Sequence, residues 1–224
     1  MAPYKTPEYH PAFEEYCEAI YELAEDEVEV IQARIAERLE VSRPAVSEMI
    51  RRMQAEGLVE VDRTIRLTLY GHELATTVVR RHRLAERFLT DMLGLSWAEA
   101  HQEAGRWEHV ISESVEEAMS RVLGEPTTCP HGNPIPGSAY VADPATTTLD
   151  TVEVGATFTV RRITEELEFT DGLLEFLEQS SVVPGSVGTV AAVGPDGTAI
   201  IEIDGQPVGL GDFVRSRIQV TPGA

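Results

Sequence analysis

Between Val30 and Val61 the chain reads VIQARIAERLEVSRPAVSEMIRRMQAEGLVEV, and no other stretch narrows its possible folds as much. Ile35, Ala36 and Leu39 form one apolar face at helical spacing, and Val46, Ile50 and Met53 form a second, with only EVS between them. Ser42 fits an N-cap, and Pro44 fits the first turn that follows, where a missing N–H costs nothing. Two short helices joined this tightly predict a helix-turn-helix. After Gly57 the apolar period switches to two in LVEVDRTIRLTL, with polar DRT in the middle, which reads as a small hairpin or wing. Together the pieces predict a winged helix-turn-helix.

Upstream, residues 12–24 place Phe13, Tyr16, Cys17, Ile20, Leu23 and Ala24 on one helical face and Glu14, Glu15, Glu18, Glu22 and Glu25 away from it. Cys17 therefore reads as a buried structural thiol. Downstream, about 71–93 is a long amphipathic helix. SWAEAHQEAGRWEHVISESVEEAMSRVL reads as one more, capped at Ser96 and stopped by the Pro- and Gly-rich GEPTTCPHGNPIPG. Cys129 and His131 of CPHG read as structural. SAYVADPATTTLD has no period and marks a linker. Beyond it ATFTVRRI, GSVGTVAAVG, TAIIEIDG and SRIQVT are short strands around a helical piece near DGLLEFLEQS, which predicts a small antiparallel β-barrel. The expected domains are a winged helix-turn-helix over 1–72, a helical dimerisation and metal-binding domain over 73–140, a linker over 141–150 and the barrel over 151–224.

A formal charge of -20 on 224 residues argues against casual nucleic-acid binding, because a polyanion is repelled at long range. The distribution of charge argues the other way: residues 28–72 are neutral and hold seven of the eighteen basic residues, all arginine. No run is long enough for a membrane span, and MAPYKTPEYHPAF lacks the order of a signal peptide, so a cytoplasmic protein with no membrane partner is expected. Its two cysteines are too few for a disulfide framework.

Histidines and glutamates recur at helical spacing in RRHRLAERF and AHQEAGRWEHVISE: His82 and Glu86 are four apart, and Glu108 and His109 follow His101 by seven and eight. The stripe is either a solvated polar face or a set of metal ligands. His82, Glu86 and His101 supply two imidazoles and a carboxylate from two helices, a donor set suited to Mn²⁺, Fe²⁺, Co²⁺ or Zn²⁺. On the second helix of the motif Pro44, Ser47, Glu48, Arg51 and Arg52 face away from the apolar positions. With Ser42, Arg43, Ala45 and wing Arg63 they are the candidate DNA contacts.

RIAERLEVSRPAVSEMIRRMQAEGLV, RRHRLAERFL, EAHQEAGRWEHVISE and PHGNPIPG, in this order, resemble the diphtheria toxin repressor and iron-dependent regulator family, which includes the manganese transport regulators. The resemblance spans nearly the whole chain and implies an SH3-like (FeoA-like) barrel. It also implies a homodimeric repressor that binds palindromic double-stranded operator DNA when a divalent metal is bound, and that is not an enzyme. By the same resemblance His82, Glu86 and His101 form an ancillary metal site completed from the barrel by Glu165 and Glu168. Glu108 and His109 belong to a primary site in which Glu15 stands where iron-sensing relatives have Met and Gly105 where they have Cys, with Glu18 near. Two soft ligands are thus replaced by oxygen or by nothing, which favours Mn²⁺ slightly over Fe²⁺, with Co²⁺, Ni²⁺, Zn²⁺ or Cd²⁺ as surrogates. The rival readings are a winged-helix regulator sensing an organic ligand and a non-regulatory metalloprotein. No H-E-x-x-H helix, P-loop or nucleophile elbow favours an enzyme.

Overall fold

The structure, a computed structural model, describes residues 11–223; residues 1–10, which the sequence places in the DNA-binding domain, and residue 224 lie outside the described residues. Helix α1 (Pro11–Glu25) turns Phe13, Tyr16, Cys17 and Ile20 inward. Helices α2 (Gln32–Arg38) and α3 (Arg43–Ala55) follow, and Ser42 caps α3 by accepting from the Ala45 N–H at 3.3 Å. Strands β1 (Val59–Val61) and β2 (Ile65–Leu67) pair antiparallel, Val59 opposite Leu67. Asp62 accepts from the Thr64 N–H (3.0 Å) and Arg66 (2.7 Å), which closes the wing tip. Ile35, Val46, Ile50, Met53 and Leu58 form the core of this domain. Each such side chain contributes about 1.5–3 kcal/mol when fully buried. Gly71 is required where helix α4 (Leu69–Asp91) crosses the wing, because a Cβ there would collide with the Leu58 carbonyl.

The segment expected as one helix after Ser96 is two: α5 (Trp97–Trp107) and α6 (Glu113–Val122). A capping box between Ser96 and Glu99 starts α5. The break turns Ile111 into a core with Leu84, Leu89, Ala104 and Met119 and leaves Val110 77 % exposed. Ser112 then takes the extended backbone of an N-cap, with Glu113 and Glu116 in the first turn, where the helix dipole favours acids. This start signal lay hidden inside a continuous apolar pattern.

The C-terminal part is a six-stranded antiparallel sheet built from β3 (Thr147–Thr148), β4 (Thr157–Ile163), β5 (Val187–Val193), β6 (Ala199–Ile203), β7 (Gln206–Leu210) and β8 (Ile218–Pro222). The order is β3-β8-β4-β5-β6-β7, so β3 and β7 are edges and the SH3-like barrel is open among the described residues. Thr147 and Thr148 pair with β8 although they fall in the stretch read as linker. Strand β7 is added by a two-residue turn at Asp204-Gly205, both at positive φ, the geometry that matches strand twist. Short helices α7 (Glu165–Glu168), α8 (Leu173–Gln179) and α9 (Asp212–Arg215) complete the domain. Trp97 of α5 packs into its core beside Leu167 and Leu177, and its backbone N–H donates to Glu178 at 3.1 Å. No described helix is long and apolar enough to cross a membrane.

Candidate metal centre

Helix α4 carries His82 and Glu86 one turn apart, and α5 packs back along it with His101; Glu108 and His109 lie just past its end. The turn Cys129–Gly132 closes on itself, with the Cys129 N–H donating to the Asn133 carbonyl (2.9 Å), and lies flush on β4, where the Ile163 N–H donates to the His131 carbonyl (2.8 Å). Gly132, at φ +92°, permits this contact, because a Cβ would strike the Arg161 carbonyl.

These elements build an inner cluster. Glu86 Oε1 lies 3.0 Å from His101 Nδ1, 3.2 Å from His82 Nε2 and 3.5 Å from His131 Nδ1. Glu168 Oε2 lies 2.9 Å from His131 Nδ1 and 3.2 Å from His101 Nδ1, and its other oxygen accepts from Asn133 Nδ2 at 2.6 Å. Glu86, Cys129 and His131 can bring one ligand atom each within 4.8 Å of the others. His131 is fully buried, yet neither ring nitrogen, nor Glu168 Oε2, makes a hydrogen bond of acceptable geometry. Buried polar atoms left in this way call for an explanation. Glu86 pairs with His82 and His101, but His131 Nδ1 and Glu168 Oε2 converge to 2.9 Å out of line for a hydrogen bond, and separations of about 3 Å are those of co-ligands on a cation with bonds of about 2.1 Å.

An outer cluster adjoins it. Glu18, His82 and Glu108 approach within 4.8 Å. His82 Nδ1 is 2.5 Å from Glu108 Oε2, Glu108 Oε1 is 3.1 Å from His109 Nε2, and His109 Nδ1 is 2.7 Å from Glu14 Oε2. Glu15 is half exposed and stands 3.9 Å from His109. A cleft of about 260 Å³ opens here, lined by Glu15, Glu18, His82, Gly105 and Glu108. A Cβ at Gly105 would meet nothing within 4 Å.

Protons hold the clusters together in the absence of a cation. Burial works against a charged His101, but the carboxylates of Glu168 and Glu86 outweigh it and push the ring up to about 10. His82 and His131 are raised for the same balance of causes. Burial raises Glu168, yet His131 and His101 pull it down to about 2; Glu86 is likewise held well below its usual range by His131 and His82. Glu18 goes the other way, raised well above the carboxylate range by burial and then by Glu108. Both clusters are suited to take up a dication in place of these protons.

The geometry thus brings together His82, Glu86, His101 and Glu168, and separately Glu18, Glu108 and His109. It does not bring Glu165 to the cluster: that carboxylate accepts from Arg83 at 2.7 Å. Glu14 rather than Glu15 meets His109, and His82 faces both clusters rather than the ancillary one alone. Cys129 and His131, read from sequence as structural, sit at the inner cluster; the only signal for them was two donors two residues apart in CPHG. Arg43, Pro44, Ala45, Glu48, Arg51 and Arg52 of α3, with Ser42 and wing Arg63, are exposed, and Ser47 is half-buried. Arg51 donates to Glu48 at 2.5 Å, and the Arg52 guanidinium lies 5.3 Å from the Phe13 ring centroid.

Three family models match in succession. They are the iron dependent repressor N-terminal DNA binding domain over residues 9–64, the iron dependent repressor metal binding and dimerisation domain over 68–137, and the FeoA domain over 147–222. The iron-dependent repressor IdeR of Mycobacterium leprae is 43 % identical over 204 residues, covering 86 % of this chain and 88 % of that protein. The diphtheria toxin repressor of Corynebacterium diphtheriae is 52 % identical over 126 residues, 55 % of this chain and 56 % of that one. Among solved structures, a manganese-dependent transcriptional repressor in complex with manganese aligns with a TM-score of 0.82 at 33 % identity, covering 93 % and 99 % of the two chains. IdeR of T. acidophilum aligns at 0.77 and 29 %, covering 94 % and 97 %.

Proposed function

The chain belongs to the iron-dependent repressor family, and on that premise we propose that it represses transcription as a homodimer on palindromic operator DNA, with Mn²⁺ the preferred activator and Fe²⁺ the alternative. The family's members are metal-dependent transcriptional repressors, and this chain is one of them. One observation carries the metal reading: buried His131 and Glu168 converge without a hydrogen bond between them. Glu86, His101, His131 and Glu168, with Cys129 or His82, would hold the inner cation. Glu18, Glu108 and His109, with Glu15 or Glu14, would hold the outer one. When bound, the cation supplies the positive charge that lets these carboxylates stay close together without protons.

The outer ligands come from α1 on one side and from the end of α5 on the other, so gathering them sets the angle of α1 against α4 and α5. Because α1 shares its core with α2 and α3, that angle sets where the α3 face sits. Operator affinity then rises through tighter metal binding in the DNA-competent arrangement, and DNA raises metal affinity by the same factor. In the dimer the exposed Val110, Val115 and Val122 would be covered by the partner copy, which spaces two α3 helices for two half-sites. Ser47 and Glu48 face base edges, and Arg43, Arg51 and Arg63 face phosphates. A mobility-shift series on a duplex selected from a random pool tests the reading, with chelator, Mn²⁺, anaerobic Fe²⁺ and Zn²⁺ as its arms. Retardation should appear with Mn²⁺ and vanish with chelator; equal retardation in chelator would reject it.

A further inference from the structure

Three guanidinium groups lie where the parts of the chain meet, and neither ligand cluster includes them. Arg83, in mid-α4, is fully buried and donates to Glu25 of α1 (2.7 Å), to Glu165 of α7 (2.7 Å) and to the Pro134 carbonyl (2.5 Å). Arg162 of β4 donates to Asp26 (2.5 Å) and Glu25 (3.0 Å) at the end of α1, and to the Asn133 side chain. Arg38, the last residue of α2, donates to the Glu22 carboxylate and to the Glu165 carbonyl (3.2 Å). Its guanidinium also lies 3.3 Å from the Phe169 ring centroid. A buried cation that loses its partner is strongly destabilising, so pairs of this kind select one arrangement more than they add net stability.

Helix α7 is a single turn whose two ends do different work. Glu168, at its end, faces His101 and His131 of the inner cluster; Glu165, at its start, faces Arg83 and Arg38. Over one turn, about 5 Å of rise, one end cannot shift without the other. We infer that Glu165 is not a metal ligand but a positioning residue, which with Phe169 transmits the state of the inner cluster through Arg38 to the helix pair that meets DNA. The inference rests on the reading that the inner cluster holds a divalent cation. Holding Glu168 fixes α7; Glu165 and Phe169 then grip Arg38 at the end of α2, four residues before the Ser42 cap of α3. With the barrel undocked, Arg38 keeps only Glu22, and Arg83 keeps Glu25 and the Pro134 carbonyl but loses Glu165, and this loss of partners is the difference between the two states. The path runs beside the outer cluster, since Arg38 also holds Glu22 of α1, but uses none of the outer ligands.

The test is a double-mutant cycle on the full chain, read as affinity for a duplex that the Mn²⁺-loaded wild type selects from a random pool. His131→Ala should weaken binding about tenfold, and Arg38→Gln by a similar factor. The pair should lose no more than the larger single loss. Calorimetry should give Arg38→Gln and Glu165→Gln the wild-type Mn²⁺ stoichiometry. Because Arg38 is buried, Phe169→Leu serves as the second variant; it leaves every charge paired, should weaken binding by about threefold at least, and should be equally non-additive with His131→Ala. Multiplicative losses in both pairs on a metal-responsive wild type overturn the latch alone, and so does loss of one Mn²⁺ from Glu165→Gln. Wild-type binding that ignores Mn²⁺ overturns the metal-dependent reading and the latch with it.

Discussion

His82 turns Nδ1 to Glu108 Oε2 at 2.5 Å and so joins two clusters that lie on opposite sides of one ring, since its Nε2 is 3.2 Å from Glu86. A neutral imidazole has one lone pair and one N–H. When one nitrogen ligates, the other donates to a carboxylate of the neighbouring cluster, and loss of such an outer hydrogen bond costs about 10–100-fold in metal affinity. His82→Ala should therefore weaken Mn²⁺ at both sites by at least about tenfold, whereas His131→Ala should weaken the inner one only. Calorimetric titration that finds one site untouched in His82→Ala would show that the ring is not shared.

Without metal, stability should fall as pH rises. Burial lifts Asp26 to about 6 and Glu22 to about 7, and the carboxylates around His101 lift it to about 10 against its burial. Each of these groups binds its proton more tightly in the folded chain. Its contribution is complete below the unfolded value, about 4 for the carboxyls and 6.5 for the imidazole, and is lost as pH passes the folded value. Glu168, held at about 2, acts oppositely but only in acid, being lost as pH falls toward that value. Melting curves in chelator should show Tm declining from about pH 5 to about pH 10, while Mn²⁺ affinity climbs across the same range. A Tm that rises from pH 6 to 9 in chelator would contradict the proton assignments.

Val110→Asp and Val122→Asp should break the dimer without unfolding the protomer, because both valines are more than half exposed. Burying one valine in an interface is worth up to about 1.5–3 kcal/mol, roughly ten- to a hundredfold in the dissociation constant. Light scattering reads the mass directly, and a dimer that persists in both variants would place the interface elsewhere.

Glu15→Met with Gly105→Cys restores two soft donors, and the space beside Gly105 accepts the new side chain. The double variant should shift activation of operator binding from Mn²⁺ toward anaerobic Fe²⁺, because thioether and thiolate favour the later metal more than carboxylate does. Mobility shifts at matched free metal decide it. A wild type that answers Fe²⁺ and ignores Mn²⁺ would defeat the argument from hard ligands.

What is legible in the sequence follows periodicity. The winged helix-turn-helix, the long α4 and the convergence of His82, Glu86 and His101 all come from regular spacing. Aperiodic chain is harder. The CPHG turn has no repeat to show that its two donors point inward, and the direction of Glu165 depends on Arg83, 82 residues away. The start of α6 is concealed because the apolar pattern runs unbroken from Ala100 to Met119. Strand β7 escapes notice although Asp204-Gly205 is a hairpin signal, since QPVGL has little alternation and carries a proline suited to an edge. An open sheet rather than a closed barrel depends on whether β3 and β7 meet, which no local pattern encodes.

Trp97, 7 % exposed in the barrel core, stands edge-on to His131, with ring centroids 4.7 Å apart and an interplanar angle of 80°. The indole is thus in contact with a ring whose charge must change when a cation displaces its proton. The chain carries its own fluorophore at the inner cluster, and paramagnetic Mn²⁺ arriving there should quench it while diamagnetic Zn²⁺ should not. With Trp107, the chain's other indole, changed to Phe, occupancy of the inner cluster can then be followed by light alone, without an attached label.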